Sequence, residues 1–448
     1  MQSGETVDLD VTGVAHGGVF VARHGEGRDG TAGGQVVFVP DALPGERIRA
    51  RITDVKKSFA RAEALEVLDA SDDRRDHVWD QADISQAPER RPGGADFGHI
   101  DLARQRALKA QVLREAFERF AGGPIDVEVE APEDVLGAEH PAVRGTTAGT
   151  GYRTRVSLHV DGAGRNGPYA ARSHTVIPVD ALPLATPDVE AVAVALRNAP
   201  EGRVDLVQAA DGGVRTLRRP ARTGERRRRF AGKPPRAPQD RSAGDRQAPA
   251  GPEVVTEVVG DRSFQVDVGG FWQVHRAAAA TLDRAVRDAL GELSSDAWHL
   301  DLYGGVGLFA AALGDLAGRA RITTVESDPR ATQHAEQNLA DHGAEAVTAR
   351  VDRFLSRLSS QASLFDREML TRGVTLLDPP RSGAGREIVE AVADLGSSRV
   401  AYVACDPVAL ARDVGYFRGV GYEVRSVRAF DLFPNSHHVE AIAVLGRD

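Results

Sequence analysis

The feature that most constrains the fold is the regular alternation of strand and helix patterns in the C-terminal part of the chain. Apolar runs typical of buried strands lie at residues 298–302, 321–326, 376–378 and 400–405, and stretches with helical periodicity separate them. Alternating units of this kind form a parallel, doubly wound sheet, so the sequence predicts an α/β domain at residues 253–448. In an open parallel sheet, ligands and reacting groups gather at the carboxyl ends of the strands.

Cys405 is the only cysteine among the 448 residues, and it follows the apolar run 400–404. Pro407 ends this run, so the thiol should lie at an exposed strand tip. A lone cysteine in such a place is a candidate nucleophile, and the alternative is a small buried hydrophobic residue. A single cysteine excludes an intramolecular disulfide framework and fits a protein of the reducing cytoplasm.

A glycine-rich turn follows the first of these strands. Asp301, Tyr303, Gly305 and Gly307 alternate from the strand end into the start of a helix, and Glu326 ends the next strand. Glycines let the backbone approach a ligand closely, and an acid in the second place accepts hydrogen bonds from ribose hydroxyls. The dinucleotide fingerprint G-x-G-x-x-G is not met, which disfavours a pyrophosphate. The acid before the glycines suits a cationic nucleoside such as S-adenosylmethionine.

Two further acidic residues stand at strand ends. Asp378 ends a predicted strand and is followed by two prolines and Arg381, and Glu440 opens the last strand. Because Asp378 and Cys405 follow successive strands, their side chains are expected to converge. A carboxylate that enters a buried strand is costly unless it is paired or used in chemistry. The alternatives are a helix-capping role for Asp378 and a salt bridge at the sheet edge for Glu440.

Residues 1–68 have the pattern of a small β-barrel. Five short strands separated by glycine and proline turns are typical of the OB type. Basic residues, among them Lys56 and Lys57, cluster late in this segment. A barrel with a basic rim is a common nucleic-acid platform, and a solvated charged face is the alternative.

Residues 69–217 are predicted to form a second, mixed unit. An amphipathic helix is expected over residues 101–120, and alternation over residues 152–160 predicts a strand with Arg153 and Arg155 on one face. These arginines are candidates for contact with a polyanion.

Residues 218–252 are rich in arginine among proline, glycine, alanine and serine. This composition cannot bury a core and predicts a disordered linker that either holds RNA phosphates or stays solvated. The net charge of −9 argues against uniform coating of nucleic acid by the whole chain. No apolar run is long enough for a transmembrane helix and no signal-peptide pattern is present, so we expect no membrane partner.

Together these stretches resemble the RNA uracil-5-methyltransferase family, whose members make 5-methyluridine in ribosomal and transfer RNA. The resemblance covers almost the whole chain. It implies a class I (Rossmann-like) methyltransferase domain, an N-terminal OB-like barrel of the TRAM type and a small α+β central domain. The motifs that carry it are Phe271-x-Gln273-Val274, Asp301-x-Tyr303-x-Gly305-x-Gly307, Asp378-Pro379-Pro380-Arg381, Cys405-Asp406-Pro407 and Phe433-Pro434-x-x-x-His438-x-Glu440.

The resemblance also implies roles for individual residues in S-adenosylmethionine-dependent methylation of C5 of a uridine in rRNA or tRNA. By that resemblance, Cys405 is the nucleophile that forms a covalent bond to C6, and Glu440 is the base. The predicted cofactor-binding residues are Gln273, Tyr303, Gly305, Gly307, Glu326, Asp352 and Asp378. The predicted RNA contacts are Phe271, with Trp272 as its alternative, Arg153, Arg155, Lys56 and Lys57.

The chain departs from the family pattern at the cysteines that hold an iron–sulfur cluster in many bacterial relatives. Ala95 and Ala181 stand where such relatives have cysteine, and Gly304 also stands where the family often has cysteine. We therefore expect no iron–sulfur cluster and no other metal. A monomer is expected, and the type of RNA is left open.

Two other classes of function stay open at this point. One is a methyltransferase that acts on another nucleobase or on protein, with Cys405 as a filler of the core. The other is a non-catalytic RNA-binding factor that keeps the cofactor fold.

Overall fold

The computed structural model describes residues 1–25, 34–144, 149–171, 173–197, 199–221 and 252–447. Most of the predicted basic linker, residues 222–251, lies outside the described residues. Among the helices that are described, none is both long and apolar enough to cross a membrane.

The N-terminal segment forms a closed barrel of five strands, as predicted from its turns and alternation. Along the first strand, the side chains of Val7, Leu9 and Val11 point into the barrel and are buried, whereas their neighbours are exposed. The strands are β1 (Thr6–Ala15), β2 (Val19–His24), β3 (Gln35–Val39), β4 (Arg47–Val55) and β5 (Phe59–Asp69), closed in the order β1-β2-β3-β5-β4.

Helix α1 (Leu102–Ala116) follows the barrel. It begins where the Asp101 carboxylate accepts a hydrogen bond from the amide of Ala103, which satisfies one of the free N–H groups of the first turn. It continues into a single π-helical turn, Phe117–Ala121, and ends at Gly122, whose φ of 82° lies in the left-handed region. The short strand β6 (Val129–Glu130) then joins the edge of the large C-terminal sheet.

The central domain is a four-stranded antiparallel sheet with short helices. Its last strand extends three residues into the segment predicted to be linker, because residues 218–220 pair with residues 202–204. The elements are α2 (Pro132–Leu136), β7 (Arg155–Val160), β8 (Asn166–Gly167), α3 (Pro187–Ala195), β9 (Gly202–Gln208) and β10 (Val214–Pro220), and the sheet order is β10-β9-β7-β8.

The C-terminal domain begins with a hairpin and continues with the predicted alternation of helices and strands. Its elements are β11 (Val254–Val259), β12 (Arg262–Asp267), α4 (Ala278–Leu290), β13 (Trp298–Leu302), α5 (Leu308–Ala317), β14 (Arg321–Glu326), α6 (Pro329–Asn338), β15 (Glu345–Thr348), α7 (Val351–Gln361), α8 (Leu364–Arg372), β16 (Val374–Leu377), α9 (Arg386–Asp394), β17 (Arg399–Ala404), α10 (Pro407–Gly419), β18 (Glu423–Phe430) and β19 (Glu440–Gly446).

These strands form one eight-stranded sheet in the order β15-β14-β13-β16-β17-β19-β18-β6. The first five are parallel, as predicted, and β19 runs antiparallel to both of its neighbours. All residues of β13, β16 and β19 are buried, because helices cover both faces of the sheet. The carboxyl ends of β13, β14, β16 and β17 therefore meet at one edge, and β19 begins at that same edge.

Candidate active site

A cavity of about 800 Å³ opens at this edge of the sheet. It brings together most of the residues that the sequence predicts to be functional, although they are far apart along the chain. Those that line it are Arg153, Phe271, Gln273, Tyr303, Gly305, Glu326, Asp378, Cys405 and Glu440.

The pairing of β17 with β19 brings Cys405 and Glu440 to the same place. Ala404 is paired with Ala441 in this antiparallel ladder, so the next position in the same register sets Cys405 opposite Glu440. Side chains on opposite antiparallel residues are close neighbours on one face of a sheet. The thiol and the carboxylate thus face one cavity from two adjacent strand ends.

Cys405 is a half-buried free thiol directly after β17. Its neighbour Asp406 caps helix α10 by accepting hydrogen bonds from the amides of Val408 at 3.0 Å and Ala409 at 2.8 Å. Burial, and then the Glu440 carboxylate, raise the pKa of the thiol, the Arg381 guanidinium opposes both effects, and the resulting pKa is about 12. In the protein without ligands, the sulfur is therefore protonated at neutral pH.

Glu440 is the buried carboxylate that opens β19. Burial, and then the nearby carboxylate of Asp378, raise its pKa to about 8, whereas Arg381 acts in the opposite direction. Within the described part of the chain it forms no ion pair, so the salt bridge that the sequence left open is not formed there. A buried carboxyl group with such a pKa can take up or hold a proton near neutral pH.

Asp301 and Asp378 extend this acidic cluster below the cavity. Asp301 accepts a hydrogen bond from Thr324 Oγ1 at 2.9 Å through Oδ2, while its Oδ1 is buried without a partner among the described residues. Burial is the main cause that raises the pKa of both carboxyl groups to about 7, and a neighbouring carboxylate, Glu326 for Asp301 and Asp301 for Asp378, contributes to the rise. The edge thus holds several carboxyl groups that lack a cation, which is the environment that a bound cation would stabilise.

The glycine turn after β13 has the special backbone that its sequence predicts. Tyr303, Gly305 and Gly307 have φ angles of 66°, 55° and 96°, all in the left-handed region. Gly307 does not line the cavity. It is the residue before helix α5, and a Cβ there would lie 2.9 Å from Leu339 Cδ1. Its role is therefore to allow the turn and its packing, rather than to contact a ligand.

Gly304 is fixed by its surroundings. A Cβ at this position would lie 2.0 Å from Thr324 Oγ1 and 2.4 Å from Asp301 Oδ2. Neither atom can move without breaking the hydrogen bond between Thr324 and Asp301. This contact explains why a cysteine is not accommodated at position 304 of this chain.

Glu326 ends β14, as predicted, and its carboxylate is held by backbone amides. It accepts hydrogen bonds from Gly305 N at 3.2 Å and Asp328 N at 2.8 Å. This arrangement fixes the acid against the glycine turn, where it faces the cavity. An acid in that position can accept hydrogen bonds from ribose hydroxyls.

Asp352 does not line the same cavity. It lies in the first turn of α7 and faces an adjoining cavity of about 510 Å³, which is also lined by Tyr303 and Ser327. Its carboxylate is ion-paired with Arg350 at 3.0 Å, and the hydrogen bond from Arg350 lowers its pKa. Because Tyr303 and Ser327 line both cavities, one extended ligand could reach from Asp378 to Asp352.

The two neighbouring aromatic residues differ in exposure. Phe271 lines the cavity and is 74% exposed. Trp272 is only 8% exposed, and its ring centroid lies 5.6 Å from that of Phe264. The Trp272 ring is part of a hydrophobic core cluster, and the residue also lines a neighbouring cavity of about 470 Å³, so its stacking on RNA stays a prediction that its burial disfavours.

Arg155 is held by contacts within the protein. Its guanidinium donates hydrogen bonds to the carbonyl groups of Val268 at 3.2 Å and Gly270 at 2.9 Å, and it is ion-paired with Glu257 at 3.0 Å. These contacts fasten the central sheet to the loop that carries Phe271. They occupy both of its terminal nitrogens and leave only Nε without a partner among the described residues, so Arg155 has a structural role here, and its RNA contact stays a prediction. Arg153 remains half-buried at the cavity.

Lys56 and Lys57 lie in the turn between β4 and β5. The pairing of Thr6 with Arg51 and of Asp10 with Arg47 places this turn at the end of the barrel opposite the turn between β1 and β2. That second turn contacts the catalytic edge, because His16 Nε2 lies 2.9 Å from Asp406 Oδ2. The two lysines are therefore far from the cavity.

Sequence reasoning did not nominate two residues that the structure places at the site. Arg381 is exposed and close enough to affect the pKa of Cys405 and Glu440, and His438 lines the cavity between them and Phe433. The signal for Arg381 was available, since it directly follows the Asp378 motif. His438 likewise stands in the motif that ends at Glu440, but its approach to the cavity depends on how the loop before β19 packs.

The region of the replaced cysteines is packed with apolar side chains. Ala95 is buried in the same cluster as Trp79, Tyr152 and Leu182. The described residues contain no group of three or more histidine, cysteine or acidic side chains arranged to hold a metal. The expectation of a metal-free protein stays a prediction.

Comparison with known proteins agrees with this geometry. A family described as TRAM domain matches residues 2–65, and a family described as tRNA (Uracil-5-)-methyltransferase matches residues 259–448. An uncharacterized RNA methyltransferase of Streptomyces avermitilis is 38% identical over 99% of this chain and 98% of its own length. The 23S rRNA (uracil(1939)-C(5))-methyltransferase of Chromohalobacter salexigens is 31% identical over 98% of this chain and 89% of its own length.

A solved structure has the same fold. The Pyrococcus abyssi tRNA (uracil-54, C5)-methyltransferase in complex with S-adenosyl-L-homocysteine aligns over 98% of this chain and 99% of its own length, with a TM-score of 0.63 and 19% identity. The predicted α/β fold with an N-terminal barrel is confirmed. From these similarities along the whole chain, it follows that the protein is an enzyme and belongs to the family of RNA uracil-C5 methyltransferases.

Proposed function

We propose that this enzyme uses S-adenosylmethionine to methylate C5 of a uridine in rRNA or tRNA, through a covalent bond between Cys405 and C6 of the base. The observation that carries the proposal is the register that sets Cys405 opposite Glu440 at the cavity edge. A thiol and a carboxylate are the two groups that this chemistry requires.

The residues at the cavity fit a cationic nucleoside cofactor. Glu326 can accept hydrogen bonds from ribose hydroxyls, Gln273 and Tyr303 lie on the same cavity wall, and Asp352 borders the adjoining cavity. The unpartnered Oδ1 of Asp301 and the unpaired carboxyl group of Asp378 suit a positive charge nearby. When bound, S-adenosylmethionine supplies a methyl group activated by its sulfonium sulfur.

The chemistry of uracil defines what the protein must do. C5 of uracil is a poor nucleophile, and addition of a thiolate to C6 makes C5 an enolate-like carbon that can accept a methyl group. Cys405 must first give its proton to solvent, which the half-buried thiol can reach, and this requires a pKa below that of the protein without ligands. A positive charge in the cavity lowers the pKa values of nearby acids, and Arg381 acts in the same direction.

Glu440 completes the reaction after C5 has gained the methyl group. Its carboxylate takes the proton from C5, and the electron pair of that C–H bond forms the C5–C6 double bond. The bond between the sulfur and C6 then breaks, and the thiolate of Cys405 leaves with its electron pair. Burial, and then the carboxylate of Asp378, raise the pKa of Glu440 to about 8, so this group can take up and release a proton near neutral pH.

The target base must leave its stack to reach Cys405. The exposed ring of Phe271 lies at the mouth of the cavity, where it can stack on a base, and Arg153 can contact a phosphate.

Labelled methyl transfer tests the proposal. The purified protein is mixed with transcribed, unmodified 23S rRNA or tRNA and with S-adenosylmethionine labelled in its methyl group. The RNA is digested to nucleosides, and the label is expected in 5-methyluridine. Label on a ring nitrogen, or in protein instead of RNA, would contradict the proposal. Label in only one of the two RNA classes would identify the substrate.

A further inference from the structure

A second cavity, of about 470 Å³, lies directly beside the catalytic cavity. It is formed between the strands β7 and β9 of the central sheet and the loop 268–274. Both cavities are lined by Arg153, Gly270, Phe271 and Val274, so these residues form a shared wall. Its size falls within the range of about 300–1,000 Å³ that is usual for sites of small ligands.

The floor of this cavity is apolar. It combines Val156, Leu158 and Leu206 of one face of the sheet, and Leu182 and Leu184 of the loop before α3, with Val207 of the face that carries Ser157 and Asp205. An apolar slot of this kind accepts the flat face of an unstacked nucleobase.

The rim of the cavity is positively charged. Four arginines line it against a single acid, Asp205, which is 7% exposed. Asp205 accepts hydrogen bonds from Ser157 Oγ at 2.7 Å and from Arg203 Nε at 2.6 Å, and its other oxygen is 2.8 Å from Arg219 Nε. One buried carboxylate thus holds two guanidinium groups in place.

These guanidinium groups stay accessible. The side chains of Arg203 and Arg219 are 49% and 55% exposed, although Arg203 Nη2 also donates a hydrogen bond to Ser157 Oγ at 2.7 Å. Arginines fixed by a buried acid are well suited to phosphate or to stacking on a base. Among the described residues, Arg153, Arg203 and Arg219 have no acidic partner other than Asp205, and because one carboxylate cannot neutralise three arginines, the rim favours an anion.

We infer that this second cavity binds another unstacked nucleotide of the same RNA, one that neighbours the target uridine. The base would lie on the apolar floor, its phosphate would contact Arg203 and Arg219, and Phe271 would separate it from the target base. The shared wall supports a strand that passes from one cavity to the next. This inference rests on the proposed function, since it takes RNA as the substrate.

Filling the slot tests the base contact. Ser157 is exposed on the face of β7 that carries Asp205, and it lines the cavity, so Ser157→Phe should place a ring in the cavity from its charged side. We expect about a tenfold loss of affinity for transcribed, unmodified rRNA or tRNA in a filter-binding assay, since stacking of one base contributes about 1–3 kcal/mol. The slope of log affinity against log salt should change less than in the rim variant below, because Ser157→Phe keeps both arginines and removes only a hydroxyl that donates to Asp205 and accepts from Arg203.

Removing the rim charges tests the phosphate contact. Arg203→Gln combined with Arg219→Gln should lower RNA affinity and reduce the slope of log affinity against log salt by about two. Arg165→Gln is the matched control, because Arg165 is also paired with an aspartate in the central domain, with Nε 2.7 Å from Asp161 Oδ2, and lies outside the cavity lining. The control should bind RNA within about twofold of the unsubstituted protein.

The affinity for S-adenosylmethionine should be unchanged in all three variants, which shows that they fold. If Ser157→Phe does not fold, the base contact is tested by changing the RNA instead of the protein. The experiment uses an RNA fragment that the enzyme methylates or, if none is methylated, a fragment that it binds. Each base near the bound uridine is removed in turn, which leaves an abasic site at that position. One such position should lose about tenfold in affinity.

Normal RNA binding by folded Ser157→Phe, or no sensitive abasic position, would overturn the base site. A loss in the double variant alone would also overturn it, because the rim would then hold phosphate without a base. These binding results do not depend on where the methyl group goes. A label outside uracil C5 would instead contradict the proposed function and leave the binding result intact.

Discussion

The catalytic cavity and the second cavity share a wall, but their charged side chains are arranged in opposite ways. In the catalytic cavity, Asp378 and Glu440 have no cationic partner among the described residues, and burial raises their pKa values. In the second cavity, the one acid, Asp205, is bonded to two arginines. Buried acids without a cationic partner are destabilised in their charged form, and a bound cation removes this penalty. Acids that are paired with arginines hold the guanidinium groups in place, where they can bind an anion.

The degree of burial of a carboxylate is therefore not enough to assign its role. Asp205 and Glu440 are buried to a similar degree, at 7% and 6% exposure. Their partners differ, and so do their expected functions: one organises a binding surface, and the other is available for proton transfer. Substitutions that act on one cavity and spare the other can therefore test this division.

The largest effect is expected for Cys405→Ala. Methyl transfer should fall below detection, because no other thiol in the chain can add to C6. RNA affinity should stay near normal if the second cavity and its rim provide the contacts. Single-turnover methylation and filter binding measure the two quantities separately. Activity above a few per cent would remove Cys405 from the mechanism.

The next effect is expected for Glu440→Gln, which keeps the size of the side chain but cannot accept the C5 proton. We expect a loss of about 10²–10⁴-fold in turnover and a protein–RNA adduct that survives denaturing electrophoresis. Adding Cys405→Ala to the same chain should erase the adduct. Turnover at the normal rate without an adduct would show that another group is the base, and Asp378 would be tested first.

The shared wall offers a matched pair of neighbours. Trp272→Ala should destabilise the protein by about 3–5 kcal/mol, because it leaves a cavity in the core. Phe271→Ala should leave stability within about 0.5 kcal/mol but weaken RNA binding, because the exposed ring contacts only the ligand. Denaturant unfolding and filter binding measure the two effects. The comparison would fail if Phe271→Ala unfolded the protein or bound RNA normally.

The acidic cluster predicts a dependence on pH. The folded-state pKa values of Asp301 and Asp378 are about 7 and that of Glu440 is about 8, above their usual values. The folded protein therefore binds protons more tightly than the unfolded chain, and its stability should fall as pH rises from about 4 to about 8. Affinity for the cationic cofactor should rise over the upper part of this range, because the carboxylates become charged.

Thermal unfolding and cofactor titrations between pH 6 and pH 8.5, in steps of about half a unit, measure these two trends. Glu440→Gln is the control, since it removes one titrating group and should flatten both curves. An affinity for S-adenosylmethionine that does not vary with pH would show that the cluster does not sense the cofactor.

The smallest effect is expected far from both cavities. Lys56→Gln with Lys57→Gln should change RNA affinity by only a few-fold, about 1 kcal/mol or less, because these side chains lie at the remote end of the barrel. A loss as large as that of the Arg203 and Arg219 double variant would mean that RNA wraps the whole barrel.

Local sequence patterns anticipated much of the fold. Strand β14 has the predicted bounds, and the left-handed φ angles of Gly305 and Gly307 match the turn that glycines there predict. These features depend on short-range preferences that a chain carries wherever it folds. Asp352, by contrast, could be nominated only by resemblance, and its position relative to the main cavity depends on how α7 packs against the sheet.

Side chains next to each other in sequence show the limit of such reasoning. Arg153 and Arg155 share one face of an alternating stretch, yet one borders the cavity and the other is bonded to Glu257 and to two carbonyl groups. Phe271 and Trp272 divide in the same way between surface and core. No local pattern distinguishes them, because their partners come from distant segments.

The sequence by itself determined the chemistry that is available: one thiol, the acids at strand ends, the glycine turn and the alternation that builds a parallel sheet. Only the tertiary structure decided which of these groups meet. The antiparallel pairing of β19 with β17 sets Glu440 opposite Cys405, and packing of the central sheet against the loop of Phe271 creates the second cavity. The physical reason is that strand pairing and burial are set by contacts between residues far apart in the chain, and those contacts also shift the pKa values on which the proposed reaction depends.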